Sequence, residues 1–325
     1  MSGGVRRRRH ASVIVVLVAA LTTACSRPSV VTTVSVPAAA GGVAVTNDLF
    51  WVGHVAQDGN AALVLSVARD NATVRARVQV TGQPVEVVVT PEAVWVANCE
   101  GVVHRIDPRA NAVVASIATG RPACSIAAGG DAIWVGVERG VGRIDPRTNA
   151  VVAVVAAGVS PNLTFGDGAL WAASPTTRSL TRIDPLDNRA GGRMAVPGVP
   201  LYAVVGAGEV WLVQRDATSP PDGPVNASRV DPAMPAVRGA PVRLGVAQLT
   251  FGGGAFWVAR QDGNVTRLGR VNPASLEALE RPRRINDIVR RILWADGSLW
   301  AVSVKGAEGP TLVRQIQVSR WWWLR

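Results

Sequence analysis

A tryptophan recurs seven times at nearly even spacing. Trp51, Trp95, Trp134, Trp171, Trp211, Trp257 and Trp300 each sit in a short apolar run, such as Val94-Trp95-Val96 or Ile133-Trp134-Val135. The intervals are 44, 39, 37, 40, 46 and 43 residues. A period near 40 that carries strand signals marks a β-propeller, one four-stranded blade per repeat. Seven blades of that length need about 290 residues, so the 325-residue chain has room for the ring and for no second domain. Length alone allows two domains, but each repeat buries its apolar face only against its neighbours, and the repeat therefore decides. The expected fold is all-β: a seven-bladed β-propeller of four-stranded antiparallel blades over residues 29–320.

Each repeat has internal order. Between Gly82 and Gly120, β-branched runs at 85–89, 94–97, 102–106 and 113–117 read as strands a to d, from the axis outward. Gly, Pro, Asn and Asp separate them, as short strands require. The turn from c to d repeats as Arg105-Ile106-Asp107-Pro108, Arg143-Ile144-Asp145-Pro146 and Arg182-Ile183-Asp184-Pro185. Later versions read Arg229-Val230-Asp231-Pro232 and Arg270-Val271-Asn272-Pro273. Asp opening a turn bonds the backbone ahead of it, and Pro presets φ at the next position. Asn111, Asn149 and Asn188 follow four residues after the Asp, where a left-handed residue completes a hairpin. Equivalent places in successive repeats make these Asp residues turn chemistry rather than catalysts. The same argument makes the seven Trp rings packing wedges between blades, each burying on the order of 150–250 Å². Trp294 lies outside the series, on strand a of the last repeat.

The chain ends explain each other. The last repeat supplies strands near 292–295, 299–302 and 312–318 and then nearly stops. A β-rich run at 30–36 precedes the first repeat with nothing to pair with. It is expected to become the outer strand of the last blade, which hides two edges and locks the ring.

Residues 1–24 read as a secretory signal: four Arg at 6–9, then an apolar run at 13–21, shorter than the ~20 residues a spanning helix needs. The segment Leu21-Thr22-Thr23-Ala24-Cys25 resembles a bacterial lipoprotein signal. That resemblance implies a lipidated Cys25, a short tether at 25–28 and a position on the outer face of the cytoplasmic membrane. The formal net charge of +11 includes the four signal arginines, leaving +7. Such a basic, tethered domain leans on anionic lipid or cell-wall polymer. The densest cluster is Arg281, Arg283, Arg284, Arg290 and Arg291. Nucleic acid is not expected of an exported protein. With Cys25 assigned, Cys99 and Cys124 remain as a pair in an oxidising compartment. Cys99 falls in the b–c loop of blade 2 and Cys124 at the start of blade 3, on one rim, so a disulfide is expected.

Catalytic raw material is thin. His10 lies in the signal, His54 after strand b of blade 1 and His104 in strand c of blade 2. No His-Glu-x-x-His run or Gly-x-Ser-x-Gly elbow occurs. We therefore expect no enzyme, metal or cofactor. Propeller ligands meet the rim where b–c and d–a loops emerge, and an insertion in one repeat is where function tends to be grafted. The longest b–c loop, 214–224, directs attention to a rim of Glu138, Arg139, Arg215, Asp216, Arg260 and Asp262. The terminal Trp321-Trp322-Trp323 run has three readings: a cap on the closing blade, a membrane-interface anchor or a non-native end.

The repeat unit of residues 120–152 combines Gly-x-Pro, Gly-Asp-Ala-Ile-Trp-Val and Arg-Ile-Asp-Pro-x-x-Asn-x-Val-Val. It resembles the YVTN/NHL-type seven-bladed propellers of bacterial exported proteins, over about 290 residues. It is also similar to the virginiamycin B lyase family, whose activity uses a His/Glu constellation with magnesium. No His follows His104, so that activity is not carried over. The expected function is a non-catalytic binding, scaffold or sensor module at the cell envelope. It would recognise a protein, peptide or envelope polymer on its loop rim, as a monomer. The alternative is a lyase or hydrolase with an axial Asp/Arg site.

Overall fold

The computed structural model describes residues 29–36, 40–46, 48–55, 62–120, 123–234, 236–304 and 311–317. The signal, Cys25 with its tether, the loops at 56–60 and 305–310 and the Trp321-Trp322-Trp323 run lie outside the described residues. Every described strand belongs to one of seven antiparallel four-stranded sheets. Blades 1 to 6 comprise residues 40–80, 84–118, 126–155, 162–195, 199–245 and 247–285, each with its strands in chain order. Blade 7 takes its three inner strands from 289–317 and its outer strand from Ser29–Val36. That strand runs antiparallel to Thr311–Gln317, from Val36 opposite Thr311 to Ser29 opposite Gln317. The expected closure is the observed one.

The Trp series is the packing device. None of the seven rings is more than 2% exposed. Trp51 of blade 1 packs with Val87, Val94 and Ile106 of blade 2. Trp134 of blade 3 packs with Leu163, Leu170 and Ile183 of blade 4. Trp300 of blade 7 packs with Val43, Phe50 and Leu65 of blade 1, with the Phe50 ring edge-on at 5.1 Å. The core is thus seven wedges, each shared by two blades. Trp294 adds a further contact between blades 6 and 7, stacked on Trp257 at 6.4 Å and lying against Gly252, where a Cβ would come within 1.9 Å of the ring.

The c–d turns behave as the motif requires. Asp107 Oδ1 accepts from the amides of Arg109 (2.7 Å) and Ala110 (3.1 Å), Asp145 Oδ1 from that of Arg147 (2.8 Å) and Asn272 Oδ1 from that of Ala274 (2.8 Å). Asn111, Asn149 and Asn188 have φ of 50°, 55° and 57°, left-handed positions that Asn tolerates better than other side chains. These amides hold the Asp107 and Asp145 carboxyls below the ordinary carboxylate range, and the Arg238 guanidinium does so for Asp231.

Several boundaries differ from the sequence expectation. Strand b of blade 5 runs Glu209–Arg215 and strand b of blade 6 runs Ala255–Asp262, so Gln214, Arg215 and Asp262 belong to strands rather than loops. Strand a of blade 7 begins at Val289, placing Arg290 and Arg291 on the inner strand while Arg283 and Arg284 sit on the outer strand of blade 6. His54 lies within strand Leu49–Val55. In each case polar residues signal a loop in the sequence, but a ladder tolerates any side chain on a face open to solvent. In blade 6 the pairing of Asp262 with Arg267 (2.8 Å) also ties the extended hairpin together.

Candidate functional site at the axial mouth

The inner strands begin on the rim that carries the d–a and b–c loops, and four of them are irregular there. Register shifts fall between Ala40 and Val43, between Pro84 and Glu86, between Pro200 and Tyr202, and between Val289 and Arg291. Such bulges re-aim side chains and recur next to functional sites. In blades 2, 5 and 7 the shift immediately precedes a polar residue on the inner strand.

Glu86 is fixed from two sides. On one side, the inner strand of blade 1 carries Gly41 and Gly42. A Cβ on Gly42 would lie 2.6 Å from the Glu86 Cα, and one on Gly41 1.9 Å from the Pro84 carbonyl oxygen. Only glycine permits that approach. On the other side, the amide of Ile126 in blade 3 donates to Glu86 Oε2 at 3.0 Å. Two residues before Ile126 stands Cys124, bonded to Cys99 with their Cα atoms 4.4 Å apart. The disulfide thus ties the start of blade 3 to blade 2 beside the Glu86 contact.

Arg291 of blade 7 reaches past blade 1 and donates from Nη2 to Glu86 Oε1 at 3.2 Å. Gly41 and Gly42 put no side chain in its way. Both partners keep solvent contact, 44% for Arg291 and 22% for Glu86, so the pair contributes only about 0–1 kcal/mol. It locates two charges more than it holds the ring together. Tyr202 of blade 5 completes the group. Its hydroxyl accepts from the amide of Leu249 in blade 6 at 3.1 Å. The residue as a whole is partly exposed, but its phenol oxygen is desolvated. Burial pushes the phenol up to about 12, against the pull of the Leu249 amide and the nearby Arg291 charge. The hydroxyl therefore stays protonated at physiological pH and keeps a proton to donate. Asn162 Nδ2 and Thr164 Oγ1 of blade 4 donate to the carbonyls of Leu201 (2.7 Å) and Ala203 (2.8 Å), holding the strand that carries Tyr202.

The six rim residues expected from sequence occupy blades 3, 5 and 6. Glu138 and Arg139 form the exposed two-residue turn between Ala132–Val137 and Gly140–Asp145. Arg215 ends strand Glu209–Arg215 and donates to the Ser219 carbonyl at 2.6 Å, stapling its own loop. Asp216 accepts from Asn226 Nδ2 at 3.2 Å. Arg260 is half-buried, and its Nε has no hydrogen-bond partner. Asp262 is taken up by Arg267. Among the described residues, no ion pair links any of the six across blades.

Sequence reasoning missed Glu86 and Tyr202, and assigned Arg291 to a surface cluster. Their signal is weak: a polar residue interrupting an inner-strand apolar run two positions after a Pro, in Pro84-Val85-Glu86 and Pro200-Leu201-Tyr202. His104 is a core residue, 2% exposed, with Nδ1 on Ser116 Oγ (2.9 Å) and Nε2 on the Thr81 carbonyl (3.0 Å). Burial raises the Glu280 carboxyl despite the opposing pull of Arg270, but this pair lies on the outer part of blade 6, away from the axis. Among the described residues, no three His, Cys, Asp or Glu side chains gather into a metal-binding group.

No protein-family model matches the chain, and no curated protein matches it in sequence. Solved structures do resemble it. The computationally designed Ika8 protein aligns with TM-score 0.61 at 10% identity, over 88% of this chain and 99% of its own. BamB from Moraxella catarrhalis aligns with TM-score 0.53 at 16% identity, over 91% and 99%. Hydrazine synthase from Kuenenia stuttgartiensis aligns with TM-score 0.65 at 15% identity, over 86% and 96%. At these identities the likeness is one of fold alone.

Proposed function

We propose that this chain is an exported, lipid-anchored binding module of the bacterial cell envelope, of YVTN/NHL type, and not an enzyme. One observation carries the reading. Bulged inner strands of three non-adjacent blades bring Glu86, Tyr202 and Arg291 to the axial mouth, on the same rim as the exposed loops. A ligand seated on that rim meets fixed polar groups at the centre and adaptable loops around them, the usual division between orientation and contact area. The axial carboxylate is already paired with an arginine, which suits recognition. A general acid or base would instead be expected beside a second carboxylate or a histidine. Because the half-exposed pair is cheap to open, a polar group of the ligand can exchange with either member. The partner is a protein, peptide or envelope polymer. The anchor is Cys25, which would keep the propeller at the outer face of the cytoplasmic membrane.

Affinity capture from detergent-solubilised membranes, with crosslinks mapped by mass spectrometry, tests the reading. A stoichiometric partner crosslinked at Arg139, Asp216 or Asp262, and lost in Arg291→Met, is the expected result. Arg215→Ala and Arg260→Ala should also reduce capture, the first by loosening its loop. Crosslinks confined to the outer strands would sink the rim assignment. Cys25→Ala should release the protein from membranes and abolish palmitate labelling, and retention of both would remove the anchor.

A further inference from the structure

Antiparallel register places one residue of strand c opposite each wedge Trp. In blades 2 to 6 that residue is an arginine: Arg105, Arg143, Arg182, Arg229 and Arg270. In blade 7 it is Gln315 and in blade 1 it is Ser66. Arg105 shows what the arginine does. Its guanidinium lies over the Trp95 ring, 5.2 Å from the centroid. Its Nη1 donates to the Pro146 carbonyl at 2.7 Å and to Asn149 Oδ1 at 2.8 Å, both in the c–d turn of blade 3. Arg105 thus bolts blade 2 to blade 3, and a cavity of only about 260 Å³ is left beside it; Arg229 and Arg270 instead pair with Glu209 and Glu280 of their own blades.

Blade 7 lacks its own bolt but borrows one. Arg69 of blade 1 lies 4.7 Å over Trp300 and donates to Asp296 and to the Thr46 carbonyl, both at 2.6 Å. Blade 1 has no such replacement. The wedge between blades 1 and 2 holds a cavity of about 630 Å³, lined by Asp48, Ser66, Asp70, Pro108 and Asn111. Pro108 and Asn111 hold the same places in Asp-Pro-x-x-Asn as the acceptors Pro146 and Asn149 that Arg105 uses. Ser66 is fully buried, and its Oγ has no hydrogen-bond partner. Asn111 is exposed where the bolted Asn149 is half-buried. Asp48 and Asp70 form no ion pair among the described residues. Arg75 also borders the cavity, while Arg69 is committed to Asp296.

We infer that this cavity is a guanidinium-binding site, distinct from the axial mouth and on the opposite rim. By the places of Pro108 and Asn111 in the turn, the site offers a carbonyl and an amide oxygen, with two carboxylates around the mouth and the Ser66 hydroxyl buried beneath it. That set of acceptors selects a cation. A planar fork matches paired carbonyl and amide acceptors as Arg105 does in the next wedge, whereas an ammonium is a point charge with no such match. The guanidinium arrives either on a small molecule or on the arginine side chain of a peptide.

Titration calorimetry on the full chain decides this with four probes: methylguanidinium, L-arginine, a blocked tripeptide with central arginine, and L-citrulline. Saturable one-to-one binding of guanidinium probes but not citrulline is the expected result. Ser66→Arg should supply the missing bolt, raise the melting temperature and abolish binding. Asn111→Gly keeps the left-handed turn, removes one acceptor and should weaken binding about tenfold. It also serves as the test if Ser66→Arg misfolds. Tighter binding of the tripeptide than of L-arginine would assign the site to a peptide side chain, and equal or weaker binding to a small molecule. The inference fails if no guanidinium probe saturates, if citrulline binds equally, or if a folded Ser66→Arg binds like wild type.

Discussion

Blades 3 and 7 have the same four-stranded plan and reach it by opposite routes. Blade 3 is continuous, its strands at 126–129, 132–137, 140–145 and 150–155 joined by turns of two to four residues. A disulfide ties its start to blade 2. Blade 7 is assembled from both ends of the chain, with Val34 buried in the Trp300 wedge. Local hairpins close at little entropic cost, whereas pairing the two ends closes a loop spanning the whole ring. The contrast teaches that blade identity is local while ring closure is global. The pairing that fixes the ring is carried by the part of the sequence least like the repeat.

The largest test of that contrast is deletion of residues 29–36. It exposes an edge on Thr311–Gln317 and opens the wedge between blades 7 and 1. The whole domain should melt in one transition on the order of 10 °C lower or more. Calorimetry showing an unchanged melting temperature would break the closure account. Next in size are Trp300→Ala and Trp134→Ala, each expected to cost about 3–5 kcal/mol by urea denaturation. Trp300→Ala should cost more, because that ring also carries Phe50 edge-on at 5.1 Å, whereas an arginine lies over both rings. Equal losses would mean that the closing wedge is energetically like any other.

Smaller and more local is Cys99→Ser with Cys124→Ser. Cross-links over 25 positions contribute about 3–4 kcal/mol in the chain-entropy model, often less in practice. Hydrogen exchange should quicken first at the Ile126 amide, which is held by Glu86. Protection lost instead at Val34 would sharpen the case for coupling between the two blades. The smallest effect is acid loss. Asp107, Asp145 and Asp231 are held below the ordinary carboxylate range, so their contribution is complete above that range and is lost as pH falls through it. These groups keep partial solvent contact, so acid melting curves should shift modestly. Asp145→Asn should flatten the pH dependence without altering the melt at pH 7 by more than a few degrees.

Blade number, the Asp turns, the left-handed Asn positions, the Cys99–Cys124 bond and the closing strand were all legible in the sequence. Each rests on a short-range rule, a period, a turn residue or an unpaired strand, that needs no knowledge of distant neighbours. What only the tertiary structure decided is which residues meet. Glu86 and Arg291 are 205 positions apart and touch because bulges aim them and two glycines in blade 1 leave the path open. Arg105 of Arg-Ile-Asp-Pro reads as part of a turn, yet register turns it onto the Trp95 ring and the next blade. The Ser66 that holds its place in blade 1 is therefore visible beside a cavity only once seven repeats stand side by side.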